Sequence, residues 1–116
     1  MKEKYYRVKG MYKDFLVFIK SGNFWNVFYG DAVILHYVTG YKISNNKLVF
    51  PLKVLDKVLS QVSKLNISYV LVYALDDIRI HDYSSNSYAF YLDKFRNVYD
   101  DELKLKKSVS KMLNKS

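Results

Sequence analysis

The most informative segment of this 116-residue chain is Gly22-Asn23-Phe24-Trp25-Asn26-Val27-Phe28-Tyr29-Gly30-Asp31-Ala32. A glycine turn precedes two large aromatic residues, Phe24 and Trp25, and a polar residue stands two positions after the first ring. Adjacent residues of a β-strand point to opposite faces of the sheet, so at most one of these rings faces the main core. We predict that Trp25 is buried and that Phe24 is exposed.

Hydrophobic spacing predicts several helices around this segment. Apolar residues recur at steps of three and four over residues 3–13 and 51–65, which is typical of helices with one buried side. Residues 32–38 are ambiguous, because their β-branched residues favour a strand. Asp31 before them and Gly40 after them are helix start and stop signals, so we favour a helix there.

Short apolar or alternating runs predict the strands. The predicted strands are 15–19, 24–28, two short strands within 41–50 around an Asn45-Asn46 turn, 69–75, 78–80 and 88–92. Residues 100–115 form an amphipathic pattern with acids at the start and lysines at the end, which predicts a last helix. That helix has two possible roles, packing on the sheet or forming a dimer face, and its narrow apolar stripe favours packing.

This order of elements predicts an α/β protein of the α+β type, with a mixed β-sheet of about five to six strands flanked by helices. The sequence shows no linker, repeat or low-complexity tract, so we expect residues 1–116 to form a single domain. A chain of this length buries roughly 65% of its unfolded surface, which is enough for one core without disulfides.

The chain is basic, with a formal net charge of +8. Residues 1–60 contain ten Lys or Arg and four Asp or Glu, whereas residues 61–116 contain nine and seven, so the excess is in the half that carries Phe24. Positive charge beside aromatic rings is typical of nucleic-acid binding, since cations neutralise phosphates and rings meet bases. The alternative is that the lysines only make a small protein soluble.

Several kinds of chemistry are not expected from this sequence. It has no cysteine and no glycine-lysine phosphate loop, and His36 and His81 are not spaced as a ligand pair. The acids Asp76, Asp77 and Asp82 are interpreted as solvated turn residues. We therefore expect no enzyme activity, no cofactor and no metal. The polar amino terminus and the lack of a long apolar run predict a cytoplasmic protein that does not bind membranes.

The aromatic segment resembles the "G-D-F-Y-E-x-F-Y-x-D-A" signature of the mismatch-recognition domain of the MutS DNA-repair family. The residues that match this signature are Gly22, Phe24, Phe28, Tyr29, Asp31 and Ala32. Phe50-Pro51 and the apolar stripe after it resemble the family's "I-P" step and the helix that follows. The resemblance covers about residues 5–75, which would form a MutS domain I-like core, and residues 76–116 would be divergent strands and a helix.

The resemblance implies that Phe24 enters the minor groove of double-stranded DNA and stacks on a mispaired base. Asn26 stands where the family has a glutamate that contacts that base. An amide lacks the charge repulsion of a carboxylate near phosphates, so we expect weaker mismatch discrimination. Lys9, Lys13 and Lys20 are candidate phosphate contacts, and a merely solvated face is the alternative for them.

The expected partner is double-stranded DNA, including mismatched or distorted duplexes. The family's clamp, lever and ATPase segments are missing from the sequence, so signalling by a nucleotide switch is not expected. The alternative function is a protein-interaction or adaptor domain of the same fold that has lost DNA binding. The oligomeric state and a possible protein partner are left open by the sequence.

Overall fold

The computed structural model describes residues 1–114, which form four α-helices, five β-strands and one short 3₁₀ turn. In chain order the elements are α1 (Lys2–Met11), β1 (Leu16–Ser21), β2 (Phe24–Phe28), α2 (Tyr29–Thr39), β3 (Lys47–Pro51), the 3₁₀ turn (Leu52–Val54), α3 (Leu55–Lys64), β4 (Tyr69–Ala74), β5 (Asp77–His81) and α4 (Ser87–Asn114).

The five strands form one mixed sheet in the order β3-β2-β1-β4-β5. The β1–β4 pair is parallel and the other three pairs are antiparallel. The predicted fold class is confirmed: the protein is an α+β structure with a mixed sheet flanked by helices. Because β1 and β4 run in the same direction, the β1–β2 turn and the β4–β5 turn lie at the same end of the sheet, which we call the hairpin end.

The sheet is covered unequally on its two faces. One face packs against α2, α3 and the start of α4, in a large core that includes Phe18, Trp25 and Phe50. The other face, which we call the α1 face, packs against α1 through a smaller core that includes Tyr5 and Val8. A ten-residue helix is about 15 Å long, which is too short to cover a five-stranded sheet. Part of the α1 face is therefore open to solvent.

The ambiguous segment after β2 is a helix, as the start and stop signals indicated. It begins at Tyr29, whose φ of 52° makes a sharp transition out of the strand. Gly40 ends the helix with a φ of 80°, a left-handed conformation that glycine adopts at little cost. Ile34 of this helix is buried in the larger core and Val38 packs against it, so tertiary packing outweighs the strand preference of these residues.

The prediction for residues 41–65 is partly wrong. Asn45 and Asn46 do form a turn with positive φ, but the region contains one strand, β3, instead of two. β3 pairs with β2 because its alternate residues complete the larger core, whereas residues 41–43 lack a strand partner. Pro51 ends β3 and precedes the 3₁₀ turn, so it does not begin the helix.

The largest error concerns the C-terminal region. Residues 88–92 were predicted as a strand, but they belong to α4, which continues to Asn114. Tyr88, Leu92 and Phe95 recur at steps of four and three and pack against the core beside α2. The acids at 100–102 therefore lie in the middle of the helix. The expected packing of the last helix on the sheet is also wrong, since the side chains of residues 100–113 are exposed. Lys115 lies outside the described residues.

Candidate nucleic-acid interface

Phe24 is the first residue of β2 and lies at the hairpin end of the sheet. It pairs with Ser21 of β1 on one side and with Pro51 of β3 on the other. Gly22, with a φ of 59°, forms part of the turn that precedes Phe24. The Leu52 backbone N–H donates a hydrogen bond of 3.1 Å to the Asn23 carbonyl oxygen and so ties this turn to the residue that follows β3. The backbone under Phe24 is therefore held from both neighbouring strands, while its side chain is 48% exposed.

Trp25 points to the opposite face of the sheet from Phe24. It is 1% exposed, and its ring meets the Tyr73 ring edge-on, with the ring centroids 5.1 Å apart. The alternation of β2 thus separates the two aromatic residues as the sequence predicted, one in the larger core and the other in solvent.

Asn26 lies on the same face as Phe24, two residues further along β2, but it is only 3% exposed. Its side-chain amide donates a hydrogen bond of 3.4 Å to the Ile19 carbonyl oxygen of β1. Its neighbours on this face include Ile19 of β1 and Phe28 of β2, which belong to the smaller core. The Asn26 amide is therefore buried and hydrogen-bonded within the sheet, and its contact with a base stays a prediction that would require this part of the structure to open.

Lys9 is also placed differently from the expectation. Its ammonium group donates to three protein oxygens: the Phe15 carbonyl at 2.6 Å, the Asp31 carboxylate at 2.9 Å and the Tyr88 hydroxyl at 2.9 Å. An ammonium has three N–H donors, and all three are used inside the protein. A phosphate contact by Lys9 stays a prediction, and such a contact would require one of these three bonds to break.

Asp31 receives four hydrogen bonds in the interior. One carboxylate oxygen accepts from Lys9 and from the Tyr88 hydroxyl at 2.6 Å, and the other accepts from the Tyr5 hydroxyl at 3.2 Å and the Val17 backbone N–H at 3.1 Å. These donors come from α1, β1 and α4, whereas Asp31 itself is in α2. The signature aspartate therefore joins four elements and is not available to a ligand.

The buried carboxylate also affects the tyrosines that donate to it. Burial and the negative charge of Asp31 both raise the pKa of Tyr5 and of Tyr88 well above the ordinary tyrosine value. Both hydroxyls therefore stay protonated and remain hydrogen-bond donors across the physiological range. Burial lowers the pKa of Lys9, an effect that the nearby Asp31 carboxylate opposes.

Lys13 and Lys20 are not adjacent to the Phe24 ring. Lys13 is exposed in the loop before β1, whereas Phe24 pairs with Ser21 at the far end of that strand, which is about 16 Å long. Lys20 pairs with Trp25, so its side chain leaves the sheet on the face opposite to Phe24. It lies at the hairpin end, where a long flexible side chain extends past the edge of the sheet.

The structure brings other exposed residues to the hairpin end that the sequence analysis did not identify. They are Ser21, Asn23, Pro51, Lys53 and Leu75. The β4–β5 turn belongs to this group because β4 runs parallel to β1. Sequence spacing gives no signal for that adjacency, since Leu75 follows Phe24 by 51 positions. The hairpin end thus carries neutral polar groups, one further apolar side chain and lysine, together with the exposed acids Asp76 and Asp77 of the β4–β5 turn.

Metal-ligand clusters and membrane-spanning helices are both absent from residues 1–114. This part of the chain contains no group of three or more His, Cys, Asp or Glu side chains placed to hold a metal ion. Its helices also include none that is both long enough and apolar enough to cross a membrane.

Comparison with known proteins identifies the fold family. The family model described as MutS domain I matches residues 1–71, which is more than half of the chain. The match runs from α1 to the first residues of β4, so it includes Phe24, Lys9 and Asp31, whereas the β4–β5 turn and Tyr88 lie beyond it. No curated protein gives a significant match. The chain belongs to the MutS domain I family.

Proposed function

We propose that the protein is a non-catalytic DNA-binding module that inserts Phe24 between base pairs of a duplex. The observation that carries this proposal is the ring itself, half exposed at the hairpin end and mounted on a backbone paired on both sides. Membership of the MutS domain I family supports DNA recognition as the general role.

The placement of Phe24 suits an intercalating wedge. A ring inserted between base steps must offset an unstacking cost of a few kcal/mol, and base–aromatic stacking returns about 1–3 kcal/mol per base. A ring on a rigid turn loses little conformational freedom on binding, so more of that stacking energy appears as affinity. Distorted or mispaired steps are already partly unstacked, and they are therefore the preferred insertion points.

Phosphate contacts would come from lysines on either side of the ring. Lys20 and Lys53 lie at the hairpin end, and Lys13 lies about 16 Å away at the other end of β1. Successive phosphates of one strand are about 3.4 Å apart along the helix axis, so that separation corresponds to about five base steps. Lys13 and the hairpin lysines would then contact different phosphates of one bound duplex.

Mismatch discrimination is expected to be weak. The amide at position 26 is buried, and the exposed polar groups beside the ring, Ser21 and Asn23, are neutral. A neutral donor-acceptor group forms hydrogen bonds with many base edges and imposes no electrostatic penalty on a matched duplex. We therefore expect the ratio of mismatched to matched affinity to be small, with Asn23 the closest exposed amide to the wedge.

The test is a set of fluorescence-anisotropy titrations with matched, mismatched and single-stranded oligonucleotides at two salt concentrations. Phe24→Ala should weaken duplex binding by about 5- to 150-fold, the equivalent of losing one stacked base. Phe90→Ala is the matched control, because Phe90 is an exposed ring on α4, 59% exposed against 48% for Phe24, and lies away from the hairpin end. A mismatch preference of several hundredfold would contradict the proposed weak discrimination.

A protein-interaction domain is the second candidate function. It is favoured by the exposed apolar side chains of the α1 face and hairpin end, including Phe24, Val49, Leu75 and Ile80. It is also favoured by the burial of Asn26 and the partial burial of Lys9, because neither side chain is open to DNA in this structure. This function predicts no salt-dependent retention on DNA, and protection of the hairpin end by a protein partner, so the same titrations distinguish the two candidates.

A further inference from the structure

The α1 face contains a cavity between the start of α1 and the edge strand β3. Its volume is about 630 Å³, which is within the range of roughly 300–1,000 Å³ typical of small-molecule sites. Lys47 pairs with Phe28 and Val49 pairs with Asn26, so these side chains leave the sheet on the same face. The fold therefore places the first turn of α1 beside residues of two strands, with the cavity between them.

One wall of the cavity is apolar. Phe28 forms part of this wall, but it is only 3% exposed, because its ring packs against Tyr5 with the ring centroids 5.2 Å apart. Val49 and Met1 are more open, with exposed fractions of 40% and 49%. A flat ring system placed against Val49 and Met1 covers apolar surface that is otherwise in contact with water, which is favourable. The wall therefore suits a ligand with a flat and largely apolar face.

Two lysines, Lys2 and Lys47, also line the cavity. Neither ammonium group is in an ion pair within residues 1–114, where the ion pairs are Lys9–Asp31 and Arg79–Asp77. Lys47 is partly buried, so its charge is partly withdrawn from water without the compensation that a partner gives. An anionic group of a ligand would supply that compensation through charge-assisted hydrogen bonds.

Hydrogen-bonding groups complete the lining. The side chains of Glu3 and Asn45 are exposed and border the cavity. The turn that carries Asn45 is closed by two backbone hydrogen bonds between Ser44 and Lys47, of 2.9 and 3.1 Å. A carboxylate accepts hydrogen bonds from the exocyclic amino groups of bases, and an amide both donates and accepts. The cavity thus combines groups that suit the edge of a base with an apolar wall and two cations.

We propose that this cavity binds one nucleoside monophosphate unit. The base lies against Val49, with its polar edge toward Glu3 and Asn45, and the ammonium groups of Lys2 and Lys47 bind the phosphate. A simple anion would leave the apolar wall uncovered, and an uncharged ring would leave both ammonium groups unpaired. A nucleotide satisfies both parts of the lining together.

The position of the cavity relative to Phe24 favours a DNA strand as the source of this nucleotide. Phe24 and Phe28 lie on the same face of β2, four residues and therefore about 13 Å apart. Pro51 and Val49 of β3 are exposed beside them. Phosphates of one duplex strand are about 3.4 Å apart along the axis, so about four steps separate the ring from the cavity. The DNA source rests on the proposed function of Phe24, whereas the fit of the cavity to a nucleotide does not.

Two-dimensional NMR titrations of the isotope-labelled full chain with deoxyadenosine monophosphate (dAMP) test the site. The backbone amide signals of Glu3, Asn45 and Val49 should shift with a dissociation constant below about 1 mM. Lys47→Ala should weaken this binding at least about tenfold, because a charge-assisted hydrogen bond to the phosphate is lost. Lys57→Ala is the matched control, since it removes the same charge from α3 on the other face of the sheet and should leave dAMP binding unchanged.

A second variant tests the apolar wall. Val49→Glu places a carboxylate where the base and phosphate bind and should weaken dAMP binding at least about tenfold. Ile80→Glu is its control, because Ile80 is 50% exposed on the same face at the opposite edge of the sheet. Inorganic phosphate and deoxyadenosine, each added alone, should bind at least about tenfold more weakly than dAMP. Circular dichroism of each variant verifies the fold.

Competition distinguishes the two sources of the nucleotide. A duplex with one unpaired adenosine should displace dAMP and a fully paired duplex should not, because an unpaired base leaves the stack at the lowest cost. Displacement by neither duplex would assign the cavity to a free nucleotide and overturn its link to DNA. Equal displacement by both would indicate competition for phosphate contacts alone and would overturn the nucleotide proposal.

Three results of the titrations would also overturn the proposal. They are no shift with dAMP, equal losses for Lys47→Ala and Lys57→Ala, and inorganic phosphate that binds as tightly as dAMP. These results are separate from the duplex titrations of Phe24→Ala. A Phe24 effect without dAMP binding would contradict the cavity site alone, and dAMP binding without a Phe24 effect would contradict ring insertion alone.

Discussion

The Lys9 ammonium lies 2.9 Å from the Asp31 carboxylate in the interior of the protein, with the Asp31 side chain only 1% exposed. This pair links α1 to α2, and the Tyr88 hydroxyl bonded to both residues adds α4 to the link. An aspartate that resembles part of a DNA-recognition signature in the sequence is thus a structural anchor in the fold. It fixes the start of α2 directly after the strand that carries Phe24.

Removal of this anchor should destabilise the protein strongly. Asp31→Ala leaves the buried Lys9 ammonium without its counter-charge and leaves two tyrosine hydroxyls without their acceptor. Loss of one member of a buried ion pair costs about 3–5 kcal/mol. Urea denaturation should show this decrease in the free energy of unfolding. Asp77→Ala is the control, because the Asp77–Arg79 pair is exposed and should contribute less than about 1 kcal/mol. Equal effects of the two variants would contradict the structural role of Asp31.

The raised pKa of Tyr88 should appear as a loss of stability at alkaline pH. Above the ordinary tyrosine pKa of about 10, the unfolded chain loses its Tyr88 proton and the folded chain keeps it. The folded state then binds more protons, so the free energy of unfolding decreases as pH rises, by up to about 1.4 kcal/mol per pH unit from this group. Below pH 10 the stabilisation that the protonated Tyr88 hydroxyl provides is fully present.

The comparison that isolates Tyr88 is wild type against Tyr88→Phe. Between pH 10 and 11 the variant should show a shallower decrease in the free energy of unfolding, because phenylalanine has no proton to lose. Ionisation of lysines and other tyrosines affects both proteins alike. Parallel curves for the two proteins would indicate that Tyr88 titrates normally in the folded state.

Glycine substitutions test the packing of α4 on α2. A Cβ atom at Gly30 would lie 2.7 Å from the Arg96 Nη2 atom and 2.8 Å from the Leu92 Cδ1 atom. Gly30→Ala must displace these α4 side chains and should cost about 1–3 kcal/mol. A Cβ atom at Gly10 meets no atom within 4 Å, so Gly10→Ala in α1 should stabilise the helix by about 0.5–1 kcal/mol. In thermal unfolding, Gly30→Ala should lower the melting temperature and Gly10→Ala should raise it.

Restoring the family's acid at position 26 should not restore discrimination. Asn26→Glu places a larger, charged side chain where the native amide is 3% exposed, so we expect a loss of about 2–4 kcal/mol in the free energy of unfolding. Asn23→Glu makes the same change in an exposed turn and should cost less than about 0.5 kcal/mol. A stable Asn26→Glu protein with strong mismatch preference would show that this strand rearranges on DNA.

The sequence predicted features that depend on local chemistry. The alternation of Phe24 and Trp25 and the stop signal at Gly40 need only neighbouring residues, and the structure agrees with both. The segment from Tyr88 to Leu92 was mistaken for a strand because a short apolar run fits either element. Its continuation to Phe95 and Tyr99 at helical spacing was the signal that identified α4.

The burial of two candidate site residues was not predicted, for a different reason. Alternation places Asn26 on the same face as Phe24, but it does not show how deeply that part of the face is buried. Lys9 is at an unremarkable helical position, and its burial depends on Asp31 and Tyr88, which are distant in sequence. The burial of Asn26 and of Lys9 therefore depends on tertiary packing, which a single sequence does not encode in its local pattern.

The central claim is that the exposed ring of Phe24 stacks between bases of a duplex. The most direct measurement is the dissociation constant of wild type, Phe24→Ala and Phe90→Ala for one duplex with a single mismatch, at constant salt. The account predicts a loss of about 5- to 150-fold for Phe24→Ala and no change for Phe90→Ala. Equal affinities for wild type and Phe24→Ala, or equal losses for both variants, would contradict it.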